Sequence, residues 1–153
     1  MNRGRHVLDI STHVPRPLAE VFAFFSDAAN LERITPPELR FELTTPTPIE
    51  MKVGSLIDYR LRLFGVSFGW RTRIADWEPG VKFVDEQLKG PYAEWIHTHS
   101  FRADANGTWV GDNVQYRLPL FPLSEIALPI VKLQLHRIFK YRTRKIAELL
   151  GPV

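Results

Sequence analysis

Two imidazoles and two carboxylates are the groups in this chain whose types and spacing could do chemistry. The stretch Trp95-Ile96-His97-Thr98-His99-Ser100-Phe101 alternates, as a strand does when its two faces see different surroundings. Trp95, His97, His99 and Phe101 share one face, and the two aromatics mark that face as the inward one. A polar group left unpaired there costs roughly 1–3 kcal/mol, so the fold or a ligand must pair both imidazoles. Asp85 shares a face with Phe83 and Gln87 in the alternating run 81–88. Asp112 shares one with Val110, Val114, Tyr116 and Leu118 in the run 108–118. If these three runs are successive hairpin neighbours, matching inward faces brings Asp85 toward His97, Gln87 toward Trp95 and Asp112 toward His99.

A carboxylate that accepts from an imidazole favours the charged pair or fixes one tautomer. That chemistry suits a general base or the orientation of a carbonyl. Two histidines two apart plus an aspartate can also chelate a metal. Spacing alone supplies no third ligand, and no metal or other cofactor is expected. The same four residues also form a plain buried network, each group satisfied by the next, which fixes strand register and performs no reaction. His97, His99, Asp85 and Asp112 are the candidates for catalysis if there is any. Tyr59 and Trp70 face the interior as core or as pocket wall. Tyr116 carries a hydroxyl that needs a partner if buried.

The elements that must hold these groups follow from the change of period along the chain. Residues 7–14 alternate, with Leu8, Ile10 and Thr12 on one side, until Pro15 and Pro17 stop the strand. Pro17 suits a helix start. Leu18, Val21, Phe22 and Phe25 then recur at helical spacing, and 30–34 read as one or two further turns ended by Thr35-Pro36-Pro37. Six strand-like runs follow, at 39–43, 55–63, 67–77, 81–88, 92–101 and 108–118, joined mostly by short turns. Residues 123–150 return to helical spacing, with Ala127, Val131, Leu135, Ile138, Ile146 and Leu149 as the apolar stripe. Pro129 kinks or divides this segment, and Gly151-Pro152 ends it.

Short turns make the strands antiparallel neighbours. Their common apolar face must be covered, and the last helix is the only element long enough to do it. A bent sheet of about seven strands around one long carboxy-terminal helix leaves a space between them. Residues 1–153 read as a single α+β domain.

This order of elements resembles the helix-grip fold of the START, Bet v 1 and polyketide-cyclase superfamily, SRPBCC. The likeness spans essentially the whole chain. Val14-Pro15-Arg16-Pro17 with Val21-Phe22 and Phe25, and Asn30-Leu31 with Ile34-Thr35-Pro36-Pro37, carry part of it. Phe83-Val84-Asp85-Glu86-Gln87 with Gly90-Pro91-Tyr92, the histidine strand, and Asp112-Asn113-Val114 with Tyr116 are more particular, and are similar to a ligand-binding subfamily. The resemblance implies a cavity for an apolar or amphipathic small molecule. It implies no catalytic motif and no particular ligand, because the superfamily hosts binders, transfer proteins, cyclases and hydrolases.

Composition agrees with a soluble domain. Hydrophobic residues are 44% and charged residues 24% of 153, enough to bury one core. With no cysteine, the chain has no disulfide scaffold, thiolate metal site or cysteine nucleophile. Neither a secretory signal nor a transmembrane run is read, so a cytoplasmic location is expected. The net charge of +3 gathers toward the carboxyl end at Lys132, Arg137, Lys140, Arg142, Arg144 and Lys145, read as a solvated helix face. No exposed aromatics interleave with it, so nucleic acid is not an expected partner. Phe64-Gly65-Val66 and residues 118–123 are apolar for connections. They plug the open end of the sheet, act as a lid or make transient membrane contact.

Three functional readings stand at this stage. The first is a carrier or sensor of a hydrophobic small molecule, lined by Tyr59, Trp70, Asp85, Gln87, Trp95, His97, His99, Asp112, Tyr116, Val131 and Leu135. The second is a cyclase, dehydratase or hydrolase using an Asp–His general base. The third is an interaction module whose interior has collapsed.

Overall fold

A computed structural model describes residues 3–151. Seven antiparallel strands form one sheet: β1 (Arg5–Val14), β2 (Glu42–Leu43), β3 (Leu56–Leu63), β4 (Val66–Glu78), β5 (Lys82–Lys89), β6 (Glu94–Asp104) and β7 (Gly107–Arg117). Their spatial order is β1-β7-β6-β5-β4-β3-β2. The first and last strands in sequence are therefore paired, Val14 opposite Thr108 and Arg5 opposite Arg117. Helix α1 (Leu18–Phe25) leads into a 3-10 segment, Ala28–Ile34. A second 3-10 segment, Leu123–Ala127, precedes the long helix α2 (Leu128–Leu149). This is the helix-grip architecture that the order of periods predicts.

Local chemistry accounts for the joints. Pro17 occupies the position before α1 with extended backbone. The Asp27 side chain accepts from the Ala29 amide at 3.0 Å and starts the 3-10 segment, as a helix cap does. Phe64 and Gly65 both have positive φ, 52° and 78°, so two residues reverse the chain between Leu63 and Val66 with a twist that matches the strands. Pro129 falls in the first turn of α2, where its missing N–H costs nothing. It bends no helix; the chain before it is the separate 3-10 segment.

Two expectations need correction. Residues 39–43 are not a full strand. Pro37–Leu39 is a 3-10 turn, Arg40 takes a left-handed conformation at φ 46°, and only Glu42–Leu43 pairs with β3. The run's alternation is real, but Pro36 and Pro37 hold its start in a turn. The buried stripe of α2 is Val131, Leu135, Phe139, Arg142 and Ile146, with Ile138 and Leu149 half-buried and Ala127 exposed. Arg142 therefore leaves the exposed basic face and joins the core side.

The core has two main parts. Toward one end, Val14, Val21, Phe25, Phe83, Phe101, Val110 and Ile146 pack tightly. Toward the other, Trp70, Tyr92, Val114, Tyr116, Leu135 and Phe139 pack. The histidines lie on the inner face of β6, between α2 and the sheet.

Candidate functional site

The backbone register opposes Asp85 to His97 and Asp112 to His99, as matching the inward faces predicts. The side chains cross that register. His99 Nε2 lies 2.5 Å from Asp85 Oδ2, and His97 Nε2 lies 2.7 Å from Asp112 Oδ1. The uncrossed separations are longer: 4.0 Å from His97 Nδ1 to Asp85 and 3.7 Å from His99 Nδ1 to Asp112. Diagonal neighbours in a sheet are within reach of side chains this long. The two imidazoles consequently stack, centroids 3.7 Å apart and planes 24° from parallel. Phe83 extends the column over His99 at 4.2 Å. Both histidines and Asp112 are almost fully buried, while Asp85 is half-buried.

Arg142 completes the cluster from α2. Its Nη2 is 3.4 Å from Asp112 Oδ1, and its Cζ lies 5.4 Å from the Phe25 ring and 5.8 Å from the Phe139 ring. The residue is 8% exposed. Its Nε and Nη2 are buried with no hydrogen-bond partner among the described residues, as are His99 Nδ1 and Trp70 Nε1. Such orphans each carry a desolvation cost unless something else meets them.

Electrostatics fix most protonation states. Burial alone would raise the Asp112 carboxyl. The Arg142 charge and the His97 hydrogen bond outweigh it and hold that carboxyl well below the usual range. Asp85 follows the same pattern: burial opposes ionisation, and the His99 hydrogen bond with the neighbouring positive charges wins. Burial, followed by repulsion from His97, pushes His99 down to about 4 despite its bond to Asp85. At neutral pH His99 is a neutral ring that donates Nε2–H to Asp85. Burial drives the Tyr59 phenol well above its ordinary value, so it stays protonated.

Beside this cluster, between sheet and α2, lies a cavity of about 150 Å³. Asp85, His97, His99 and Arg142 line it as one polar cluster, and Asp27, Asn30, Thr35 and Thr72 are its other polar lining. Tyr59 and Trp70, stacked 5.7 Å apart, and Trp95, edge-on to Trp70 at 5.4 Å, contribute aromatic wall. Leu135 lines it from α2.

The other residues expected at the site lie behind or beside this wall. Asp112 faces the imidazoles and Arg142 rather than the cavity. The ladder between β5 and β6 ends at Glu86 and Ile96, so Gln87 does not pair with Trp95. Gln87 instead holds the turn after it, donating to the Tyr92 carbonyl at 2.7 Å and accepting from the Tyr92 amide at 3.1 Å. Tyr116 packs on Tyr92 and His6, and Val131 lies in the same packed core.

Reasoning from sequence missed Arg142 and the wall supplied by Phe24, Leu31, Phe41 and Met51. Arg142 lies seven residues after Leu135 and four before Ile146, so helical spacing would have found it. Its charge placed it in the surface run instead. The apolar connections at 64–66 and 118–123 line no part of the cavity. His136 is exposed, and Arg71 reaches Asp58 at 2.8 Å on the outer face.

A family model for polyketide cyclase / dehydrase and lipid transport proteins matches residues 14–140. The chain belongs to this family. Solved structures share its fold. The Zhui aromatase/cyclase from a Streptomyces species superposes with a TM-score of 0.75 at 14% identity, covering 95% of this chain and 93% of that one. TTHA0849 from Thermus thermophilus gives 0.73 at 13%, covering 94% and 99%. A major latex-like protein from Panax ginseng gives 0.67 at 14%, covering 97% and 99%. At such identities these likenesses concern the fold. A search of curated proteins finds no match.

Proposed function

We propose that this family member binds an amphipathic small molecule, its apolar body in the cavity and its polar end against the Asp85–His97–His99–Arg142 wall. One observation carries the reading: a largely aromatic and aliphatic cavity meets a compact cluster of largely buried ionisable groups, Asp85, His97, His99 and Arg142. Ligand sites are commonly built this way, with apolar walls giving affinity and a few fixed polar groups giving orientation. Each Å² of apolar ligand surface removed from water contributes roughly 25 cal/mol. Retention of an open cavity argues against the collapsed interaction module.

The test is displacement of a fluorescent apolar probe, read by its emission and by native mass spectrometry. The wild-type protein is expected to take up the probe at one per chain. Leu135→Trp, which projects an indole into the cavity, is expected to weaken uptake at least tenfold while retaining the wild-type circular dichroism. Absence of uptake across fatty acids, sterols and polycyclic aromatics would reject the proposal.

A second reading, general-base catalysis, is favoured by the Asp85–His99 hydrogen bond at the cavity wall. An aspartate that fixes the Nε2–H tautomer leaves Nδ1 as the basic nitrogen. That atom is buried and turned toward Asp112, so a reacting ligand would have to displace the ring stack. The binder reading needs no such movement and is preferred.

A further inference from the structure

Arg142 is a cation that the fold has not used up. Among the described residues it makes no hydrogen bond, and the carboxylate nearest to it, Asp112, lies 3.4 Å from Nη2. It nevertheless sits on the inner face of α2 and forms part of the cavity wall. Phe25 and Phe139 flank the guanidinium and restrict its swing. Burying the three N–H donors of Nε and Nη2 in such a place is costly unless an acceptor arrives.

The charges around it decide which acceptor fits. Asp85 and Asp112 bring two negative charges to the cluster and Arg142 brings one positive. With both imidazoles neutral, the cluster carries a net charge of −1. One imidazolium would neutralise it, and a ring stack with centroids 3.7 Å apart resists a second. An ionised ligand head would therefore enter a site already supplied with carboxylates. A neutral oxygen, which accepts through its lone pairs and brings no charge, meets no such opposition.

Resting on the binding function proposed above, we infer that Arg142 is the specificity residue of the cavity and selects ligands that present an uncharged carbonyl oxygen in preference to a carboxylate. The wall beside it is aromatic, with Tyr59, Trp70, Trp95 and Phe139, so a flat apolar body suits the remainder of the space.

Three probes of one shape test this: 2-acetylnaphthalene, 2-ethylnaphthalene and 2-naphthoate. Binding is followed by isothermal titration calorimetry at pH 7.5, with quenching of tryptophan emission as a second measure. A charge-assisted hydrogen bond predicts that the acetyl compound binds about tenfold or more tightly than the ethyl one, with naphthoate weaker than the acetyl compound. In Arg142→Leu the acetyl-to-ethyl ratio is expected to fall to about one; in Arg142→Lys part of it remains. Equal binding of acetyl and ethyl probes to the wild-type protein would overturn the inference and leave the binding function standing. So would naphthoate binding most tightly, or a ratio unchanged in Arg142→Leu. The wild-type ratios decide the matter even if the leucine variant does not fold. If none of the three probes binds while another apolar probe is taken up, the inference falls and the binding function stands; if fatty acids, sterols and polycyclic aromatics also fail, both fall.

Discussion

At the scale of single residues, the crossed pairing of histidines and aspartates has a measurable consequence in pH. His99 is held down to about 4 in the folded protein, whereas an exposed histidine titrates near 6.5. Between those values the unfolded chain binds a proton that the native ring refuses. Native stability is therefore expected to fall as pH drops from about 6.5 toward 4, by up to roughly 1.4 kcal/mol per pH unit from this group. Asp112 acts in the opposite range. Its stabilising ionisation persists above the ordinary carboxylate value and is lost only at still lower pH. Nitrogen-15 NMR of the imidazoles checks the assignment: His99 should remain in its Nε2–H neutral form at pH 5.5. A ring that titrates at 6.5 would show that it is not enclosed as described.

The grouping of these four residues was legible in the sequence because a strand has a period of two, and a shared face limits which residues can meet. Which carboxylate each imidazole chooses was not legible. Backbone opposition puts Asp85 beside His97, but ring stacking and side-chain reach send the hydrogen bonds along the diagonal. Arg142 escaped for another reason. A charged residue in a basic run has the composition of a surface, and only its phase on the helix reveals that it faces inward.

At the scale of elements, alternation located β1 and β3 to β7 to within a few residues, and helical spacing located α1 and α2. The segment between Ile34 and Ser55 was the least readable. Its conformation is set by prolines, a left-handed Arg40 and tertiary contacts rather than by any period. One tight junction here makes a definite prediction. Gly107, at φ 150°, begins β7 where the chain passes β1, and a Cβ on it would sit 2.2 Å from the Val14 carbonyl oxygen. Backbone cannot move aside as a side chain can. Gly107→Ala is expected to cost at least about 2 kcal/mol in urea unfolding, since strain and steric overlap both oppose it. Gly69, in β4 with open space around it, is the control: Gly69→Ala should be neutral or stabilising by up to about 1 kcal/mol.

At the scale of the whole molecule, the start of α2 and the 3-10 segment before it carry apolar side chains on the outside as well as the inside. Leu123, Ile126, Ile130 and Leu133 are 74%, 85%, 60% and 74% exposed. Exposed apolar groups at this density promote association. Ile126→Glu combined with Ile130→Glu is expected to lower concentration-dependent light scattering while changing unfolding free energy by less than about 0.5 kcal/mol. A large loss of stability would mean that these side chains support the fold in spite of their exposure. No helix among the described residues is long and apolar enough to cross a membrane.

The covering of the sheet by α2 also imposes an order on biosynthesis. Translation delivers all seven strands before residues 128–149 emerge from the ribosome. Until then the inner surface around Trp70 and Val114 lacks the helix that covers it. The nascent chain must pass through an interval in which its future interior is open to neighbouring chains, until residues 128–149 close it.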